Sequence, residues 1–316
     1  MFSIIICTYN GTRTIEKTID HILAQEDYDN YIEQLIVVNN ASDDETAALV
    51  KKYEQQNKLI YRYEEKPGLG NARRNGVNIA CADWTIFVDD DNELDKNWIK
   101  TAANYIKEHP NISIFGGSVI PKLEFEPNVN ERKCLCQHYS MLACTDLCRK
   151  DIDYSKKVSP FGIIIGAGMT VKTQYLKELI ENGWIRQMGR TKNDTAAGDD
   201  GEISRFVTEK KKQKAGYCPQ MIMEHNLPKE RLQANYLLKL GKSLSIGNYH
   251  GQSLKRWYVL RRIKQVMKYA FSKSPYPLNS LEDKLWKQTR TVYFEMLKKD
   301  RLFFKNLNKP QQKNVM

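Results

Sequence analysis

Residues 1–91 alternate short apolar runs with amphipathic segments, and that alternation restricts the possible folds more than any other feature of the chain. Phe2 to Thr8, Leu35 to Val38, Leu59 to Tyr63 and Trp84 to Val88 are rich in β-branched and aromatic residues, the composition of buried strands. Between them lie Thr14 to Gln25, Asp43 to Gln56 and Leu69 to Ala80. The first of these places Ile15, Ile19, Ile22 and Leu23 at helical spacing, and Ser42 or Asp43 offers an N-cap for the second. Repeated strand–helix units predict a parallel sheet with helices on both faces, an α/β fold. Sheets of this kind gather ligands at the carboxyl ends of their strands.

The fourth run ends in Asp89-Asp90-Asp91. Adjacent carboxylates repel one another, and each favours water or a cation. Hard oxygen donors in a site open to substrate suit Mg²⁺ or Mn²⁺, the ions that accompany phosphates. Taken alone, three aspartates are equally well read as a solvated acidic turn. The neighbouring strand ends carry Thr8-Tyr9-Asn10-Gly11, Asn39-Asn40-Ala41-Ser42 and Pro67-Gly68-Leu69-Gly70-Asn71-Ala72-Arg73. Amides can pair with a base, glycines admit backbone N–H groups, and Arg73 in the first turns of a helix can oppose phosphate charge. This set matches a nucleotide diphosphate with a metal.

A chain of 316 residues with 41% apolar and 10% aromatic residues can bury one large core, or a core with an appended lobe, and is not disordered. Its seven cysteines (7, 81, 134, 136, 144, 148 and 218) form no small-domain disulfide framework, a pattern that suits a reducing compartment. Cys134, Cys136, Cys144 and Cys148 surround His138, but their spacing departs from that of structural zinc sites, so reduced thiols on a helix are expected. Met1 to Thr8 carries no basic leader, and no apolar stretch approaches the ~20 residues of a spanning helix. The expectation is a cytoplasmic protein. Charge is uneven: residues 229–316 hold 20 Lys/Arg against 5 Asp/Glu, a balance of +15, while residues 1–228 sum to −4. Nucleic acid, an anionic membrane surface or solvent alone are the candidate neighbours of such a region.

Ser3-Ile4-Ile5-Ile6-Cys7-Thr8-Tyr9-Asn10, Val37-Val38-Asn39-Asn40-Ala41-Ser42, the stretch Gly68 to Gly76 and Phe87-Val88-Asp89-Asp90-Asp91 resemble glycosyltransferase family 2. Gly198-Asp199-Asp200-Gly201-Glu202 is similar to that family's acidic motif, usually Glu-Asp, and His225 with Pro228 and Arg231 to its later histidine element. The motifs run in the family's order from residue 3 to about 231. The resemblance implies a Rossmann-like GT-A fold, a nucleotide-sugar donor, Mn²⁺ or Mg²⁺, and inversion at the anomeric carbon. By analogy it also implies a glycan or lipid-linked saccharide acceptor in cell-surface polysaccharide synthesis. Carried over by position, Thr8, Tyr9 and Asn10 would line the base pocket, and Asn39 would read the uracil edge. The family usually has Asp there. Asparagine keeps the acceptor oxygen and adds a donor, so a UDP-sugar is expected. Arg73 would lie near the diphosphate or ribose, Asp89 on the ribose and Asp91 on the metal. Asp90 belongs to the nucleotide-sugar site too, and the triple repeat leaves the register open by one residue.

The resemblance divides the chain into a catalytic domain, 1–228, and a basic helical C-terminal region, 229–316. Within the former, 1–111 would be the nucleotide-binding half and 112–228 the acceptor and catalytic half. Ile112 to Ile120 and Phe161 to Thr170 read as strands, the second interrupted by Gly166-Ala167-Gly168, where a bulge or the close approach of a ligand is expected. Gly168 would help form the floor beneath the donor sugar. A helix follows Gly198 and stops near Gly216, and from His225 onward the pattern is helical, broken at Gly241, Gly247 and Pro275-Tyr276-Pro277.

Sugar transfer needs stabilisation of the leaving diphosphate and a base for the acceptor hydroxyl. Asp91 with a divalent ion, helped by Arg73, would supply the first. Asp200 is the expected base and Asp199 its competitor, with acidic stabilisation of a helix N-terminus as the ordinary alternative. His225 is a candidate metal or diphosphate ligand, or a structural histidine. Trp184 is an acceptor-stacking or packing residue. A sugar-nucleotide nucleotidyltransferase would want a glycine-rich basic loop after the first strand, which Thr8-Tyr9-Asn10-Gly11 lacks. A nucleic-acid binder would interleave aromatics with its basic residues. Instead Leu260, Ile263, Val266, Met267, Ala270 and Phe271 form an apolar stripe, expected to pack on the catalytic domain or rest peripherally on the inner face of the cell membrane.

Overall fold

The computed structural model describes residues 1–54, 58–145, 152–153, 164–183, 198–250 and 272–307. Strands β1 (Phe2–Thr8), β2 (Ile32–Asn39), β3 (Leu59–Tyr63) and β4 (Trp84–Asp89) pair in parallel in the order β3-β2-β1-β4. They are linked by α1 (Ile15–Leu23), the single turn α2 (Tyr28–Tyr31), α3 (Thr46–Lys51) and α4 (Leu69–Ile79). Successive side chains of a strand face opposite ways. Accordingly Ile4 and Ile6 pack with Ile15, Ile19 and Ile22 of α1, while Ile5 packs with Ala72 and Val77 of α4. Both faces of β1 are therefore covered, which explains its continuous apolar run. Each such buried side chain contributes roughly 1.5–3 kcal/mol.

Beyond β4 the sheet becomes mixed. The chain continues through β5 (Asn92–Leu94), α5 (Trp98–Glu108), β6 (Ile112–Leu123), α6 (Val129–His138), the two-residue β7 (Ile152–Asp153), β8 (Thr170–Lys172), α7 (Thr173–Glu181), α8 (Asp199–Arg205) and β9 (Lys214–Leu227). The full order is β3-β2-β1-β4-β8-β6-β9-β5, with β7 on β9. The short β8 lies antiparallel between β4 and β6, and β9 runs parallel to β6 and antiparallel to β5.

Two elements of the second half run against ordinary residue preferences, each for a physical reason. β9 contains Gly216 and Pro219, residues that argue against a strand, yet it is the longest in the sheet. Its register against β6 jumps between Gly117↔Cys218 and Ser118↔Ile222, so Pro219 sits in a bulge where no ladder N–H is required. Gly241 and Gly247 do not break the C-terminal helix either; α9 runs from Ala234 to His250 through both. A Cβ on Gly241 would stand 2.5 Å from Leu285 Cδ2, so the glycine is where α10 (Leu281–Leu307) crosses closely. Leu232, Leu237 and Leu240 join Leu142, Cys144 and Leu227 in one apolar cluster, which fastens this helical region beside β6 and β9. Cys134 and Cys136 lie on α6 as free thiols and Cys144 is a buried one. Among the described residues no helix is long and apolar enough to cross a membrane. Trp184, Cys148 and the stripe from Leu260 to Phe271 lie outside the described residues.

Candidate active site

The carboxyl ends of β1, β2 and β4 meet in one place because these strands are parallel neighbours. Thr8 Oγ1 donates to Asp90 Oδ2 at 2.5 Å, joining the ends of β1 and β4. Asn10 adopts a left-handed backbone (φ 53°), and its side chain ties the loop after β1 to that after β2: Nδ2 donates to Asp43 Oδ1 at 2.7 Å, and Oδ1 accepts from Asp43 N at 3.0 Å. Asn39 is buried, with Oδ1 accepting from Ser42 N and Nδ2 donating to Tyr61 Oη at 3.1 Å. Tyr9 projects from the same edge, 40% exposed. Asn40 Oδ1 accepts from Gly68 N at 2.7 Å and so holds the loop that starts α4.

Arg73 is a fully buried charge, its side chain 2% exposed. Its Nη1 donates to Asp199 Oδ2 and to Asp200 Oδ1, both at 2.6 Å, and Nη2 lies 4.0 Å from Asp89 Oδ1. The guanidinium also lies over the Phe87 ring, 5.0 Å from its centre. The other Asp200 oxygen accepts from Gly166 N at 2.8 Å. Any Cβ at Gly166 would stand 2.1 Å from Arg73 Nη2, so the missing side chain is what admits the arginine. Gly168 turns with φ +72°, where a side chain is strained, and its N–H donates to Phe87 O at 2.9 Å. The family resemblance puts Arg73 near the diphosphate or ribose; in the structure its Nη1 is taken by the two aspartates of the acidic motif. Burial pushes the Asp199 carboxyl up to about 6 even against Arg73. Burial acts on Asp200 in the same direction, but Arg73 and the Gly166 N–H outweigh it and hold the carboxyl below its usual range. Asp200 is also the more open of the two, 26% exposed against 5%.

A second charged group lies at the β5–β9 end. The register Asn92↔His225 sets His225 beside Asp91, with Nε2 3.3 Å from Asp91 Oδ2. Arg231, on the turn after β9, donates from Nη2 to Asp91 Oδ2 and from Nη1 to His225 Nε2, each at 2.6 Å. Arginine has no acceptor, so Nε2 offers a lone pair and the ring proton sits on Nδ1, which is buried without a hydrogen-bond partner. Burial acts to raise the Asp91 carboxyl; the Arg231 guanidinium, through its charge and its hydrogen bond, opposes it, and the group lies well below the usual range. Asp90 behaves oppositely: burial and the neighbouring Asp91 charge push it up to about 7, with the Thr8 hydrogen bond opposing. Burial raises Asp89 as well, against the pull of Arg73. Among the described residues no cluster of three or more His, Cys, Asp or Glu could hold a metal ion. The Asp91–His225 pair nevertheless fits an ion that draws its remaining ligands from substrate phosphates, because an ionised oxygen and an imidazole lone pair face one point.

Arg231 was noted in the sequence only as a neighbour of His225, and Glu93 was not noted at all. Glu93 is buried and salt-bridged to Lys17 at 2.6 Å and Lys122 at 2.7 Å, and it accepts from Asn226 Nδ2 at 2.8 Å. Asn226 N and Nδ2 also donate to Asp91 O, at 3.0 and 3.2 Å. Glu93 therefore locks the β5–β9 register that brings His225 to Asp91. No local sequence signal marks Glu93, since it acts through a pairing between distant strands.

Residues 3–152 match the sequence model described as Glycosyl transferase family 2. The poly(ribitol-phosphate) β-N-acetylglucosaminyltransferase TarS of Staphylococcus aureus is 32% identical over 112 residues, 34% of this chain and 19% of TarS, so the chain spans about a fifth of that relative. The glucosyl-dolichyl phosphate glucuronosyltransferase of Haloferax volcanii is 20% identical over 244 residues, 75% of this chain and 72% of that one. The crystal structure of S. aureus TarS 1-349 in complex with UDP-GlcNAc superposes with a TM-score of 0.53 at 14% identity, covering 94% of this chain and 92% of that one. That likeness shows the shared Rossmann-like GT-A fold. The family match covers the strands whose carboxyl ends form the site, so residues 3–152 are similar to glycosyltransferase family 2 over that half of the sheet.

Proposed function

We propose that the chain transfers a sugar from a nucleotide-sugar, a UDP-sugar first, to a hydroxyl of a glycan or lipid-linked saccharide, with inversion at the anomeric carbon. The observation that carries this reading is the Arg73-held pair Asp199–Asp200 standing across the strand ends from Asp89–Asp91 in a chain whose residues 3–152 match family 2. Asn39 supports uridine. With Oδ1 on Ser42 N and Nδ2 on Tyr61, it retains one lone pair and one N–H, a match for the N3–H and O4 edge of uracil. Thr8, Tyr9 and Asn10 border the base, Asp89 and Asp90 the ribose side, and Gly168 the floor under the sugar.

In this reading the acceptor oxygen bonds to the anomeric carbon as the bond to the diphosphate breaks, and the hydroxyl proton passes to Asp200. Its lowered pKa keeps Asp200 ionised, and Arg73 and Gly166 N fix its direction. Asp199, more deeply buried, is the competing base. Asp91 and His225 would hold a divalent ion, which when bound supplies positive charge to the departing diphosphate. The family relatives motivate polysaccharide synthesis as the setting. We place the domain boundary near residue 228. The basic region 229–316 is proposed to face acceptor or anionic membrane, a reading that rests on its +15 balance.

A donor screen tests the proposal: UDP-, GDP- and dTDP-sugars with Mn²⁺, reading nucleotide release, each repeated in EDTA. Release from one donor class, abolished by chelator and restored by Mn²⁺ or Mg²⁺, is expected. No turnover with any donor would sink it.

A further inference from the structure

We propose that Arg231 is a built-in competitor of the divalent ion, so that this one side chain sets how tightly the site takes metal. The inference rests on the reading of Asp91 and His225 as metal ligands. Arg231 presents one N–H to Asp91 Oδ2 and another to His225 Nε2, each at 2.6 Å, and those two atoms are only 3.3 Å apart. A cation bound by both atoms would have to lie where the guanidinium edge lies. Two positive charges do not share such a space, so binding of one excludes the other. The histidine is already in the tautomer that ligates, because its Nε2 lone pair accepts from Arg231.

Arg231 is also placed so that it can leave. Its side chain is 27% exposed, whereas Asp91 and His225 are 14% and 5% exposed. It sits on the single turn Lys229–Leu232, whose next residue, Leu232, is anchored in the apolar cluster of the C-terminal helices. Cys134 Sγ donates to Leu232 O at 3.5 Å and fastens the same turn to α6. The backbone is thus fixed while the long side chain can swing. Once released, its fork of donors suits the oxygens of a diphosphate.

Metal binding to the purified full chain, followed by the EPR signal of free Mn²⁺ without nucleotide, tests this directly. Arg231→Gln is expected to bind Mn²⁺ more tightly, by a factor of roughly 5–150, the size of an ordinary coupling between two bound groups. Adding Asp91→Asn should erase the gain, and circular dichroism confirms the fold of each variant. Should Arg231→Gln not fold, Arg231→Lys replaces it: an ammonium lacks the two-pronged reach, so intermediate affinity is expected. Equal or weaker Mn²⁺ binding in the folded variant overturns the proposal, since the ion then uses atoms Arg231 does not cover. A gain that survives Asp91→Asn overturns it too. If wild type and variant both fail to bind Mn²⁺ even with UDP present, the metal reading of Asp91 and His225 falls with it; equal binding that needs Asp91 rejects only the competition.

Discussion

Two arginines grip two carboxylate sites on the same sheet edge, and they are held in different ways. Arg73 is enclosed by α4, by Phe87 of β4 and by Gly166, and bonds to Asp199 and Asp200 at the start of α8. Arg231 stands on a single turn after β9, partly in solvent, across from Asp91 and His225. Both make short charge-assisted hydrogen bonds. Removing a buried partner strands a charge away from water, whereas a half-open partner can be replaced by water or by another cation. Arg73 is therefore structural for the acidic motif, and Arg231 exchangeable.

The largest effect should come from Arg73→Met. It leaves Asp199 and Asp200 facing each other without a cation, and urea unfolding should report a loss of about 3–5 kcal/mol. Arg231→Gln should lose clearly less. Similar losses for both would erase the contrast.

Next comes Asp200→Asn, which keeps shape and the Gly166 contact but cannot accept a proton. Turnover should fall at least ~10²-fold while nucleotide affinity stays near that of the wild type, because the base acts on the chemical step. Asp199→Asn should fall less. The reverse ranking would move the base by one residue and make the buried carboxylate the working one.

The smallest expected effect is in stability against pH. The Asp90 carboxyl is raised from 3.8 to about 7, so its protonated form favours the fold. That contribution is fully present below pH 3.8 and is lost as pH rises through about 7. Asp90→Asn still accepts from Thr8 and never ionises, so it should be more stable than wild type at pH 8 by about 1 kcal/mol, partial solvent access screening the rest, and no more stable at pH 3. Thermal melts at both pH values measure it. An equal shift at the two would show that Asp90 ionisation does not oppose folding.

Local periodicity carried the first half of the fold. The parallel strands β1 to β4 and the helices α1, α3 and α4 lie where apolar spacing placed them, because each buries a face defined by its own residues. The second half was less legible. β9 was hidden by Gly216 and Pro219, and β5, three residues long, has too few positions to show a period. The continuity of α9 depended on how close Leu285 comes to Gly241, which is a property of α10 and not of α9.

The same division runs through the candidate site. By itself the sequence determined which chemical groups collect at the strand ends, since a strand's last residues are fixed by its own pattern: Thr8, Asn39 and Asp89 to Asp91. Tertiary structure alone decided which charge meets which. Arg73 reaches Asp199 across 126 residues of chain, and Arg231 reaches Asp91 across 140. Their choice follows from burial and from the β5–β9 register, and ion pairing between such distant residues leaves no period in a sequence. What an arginine neutralises is settled by which carboxylate shares its desolvated space.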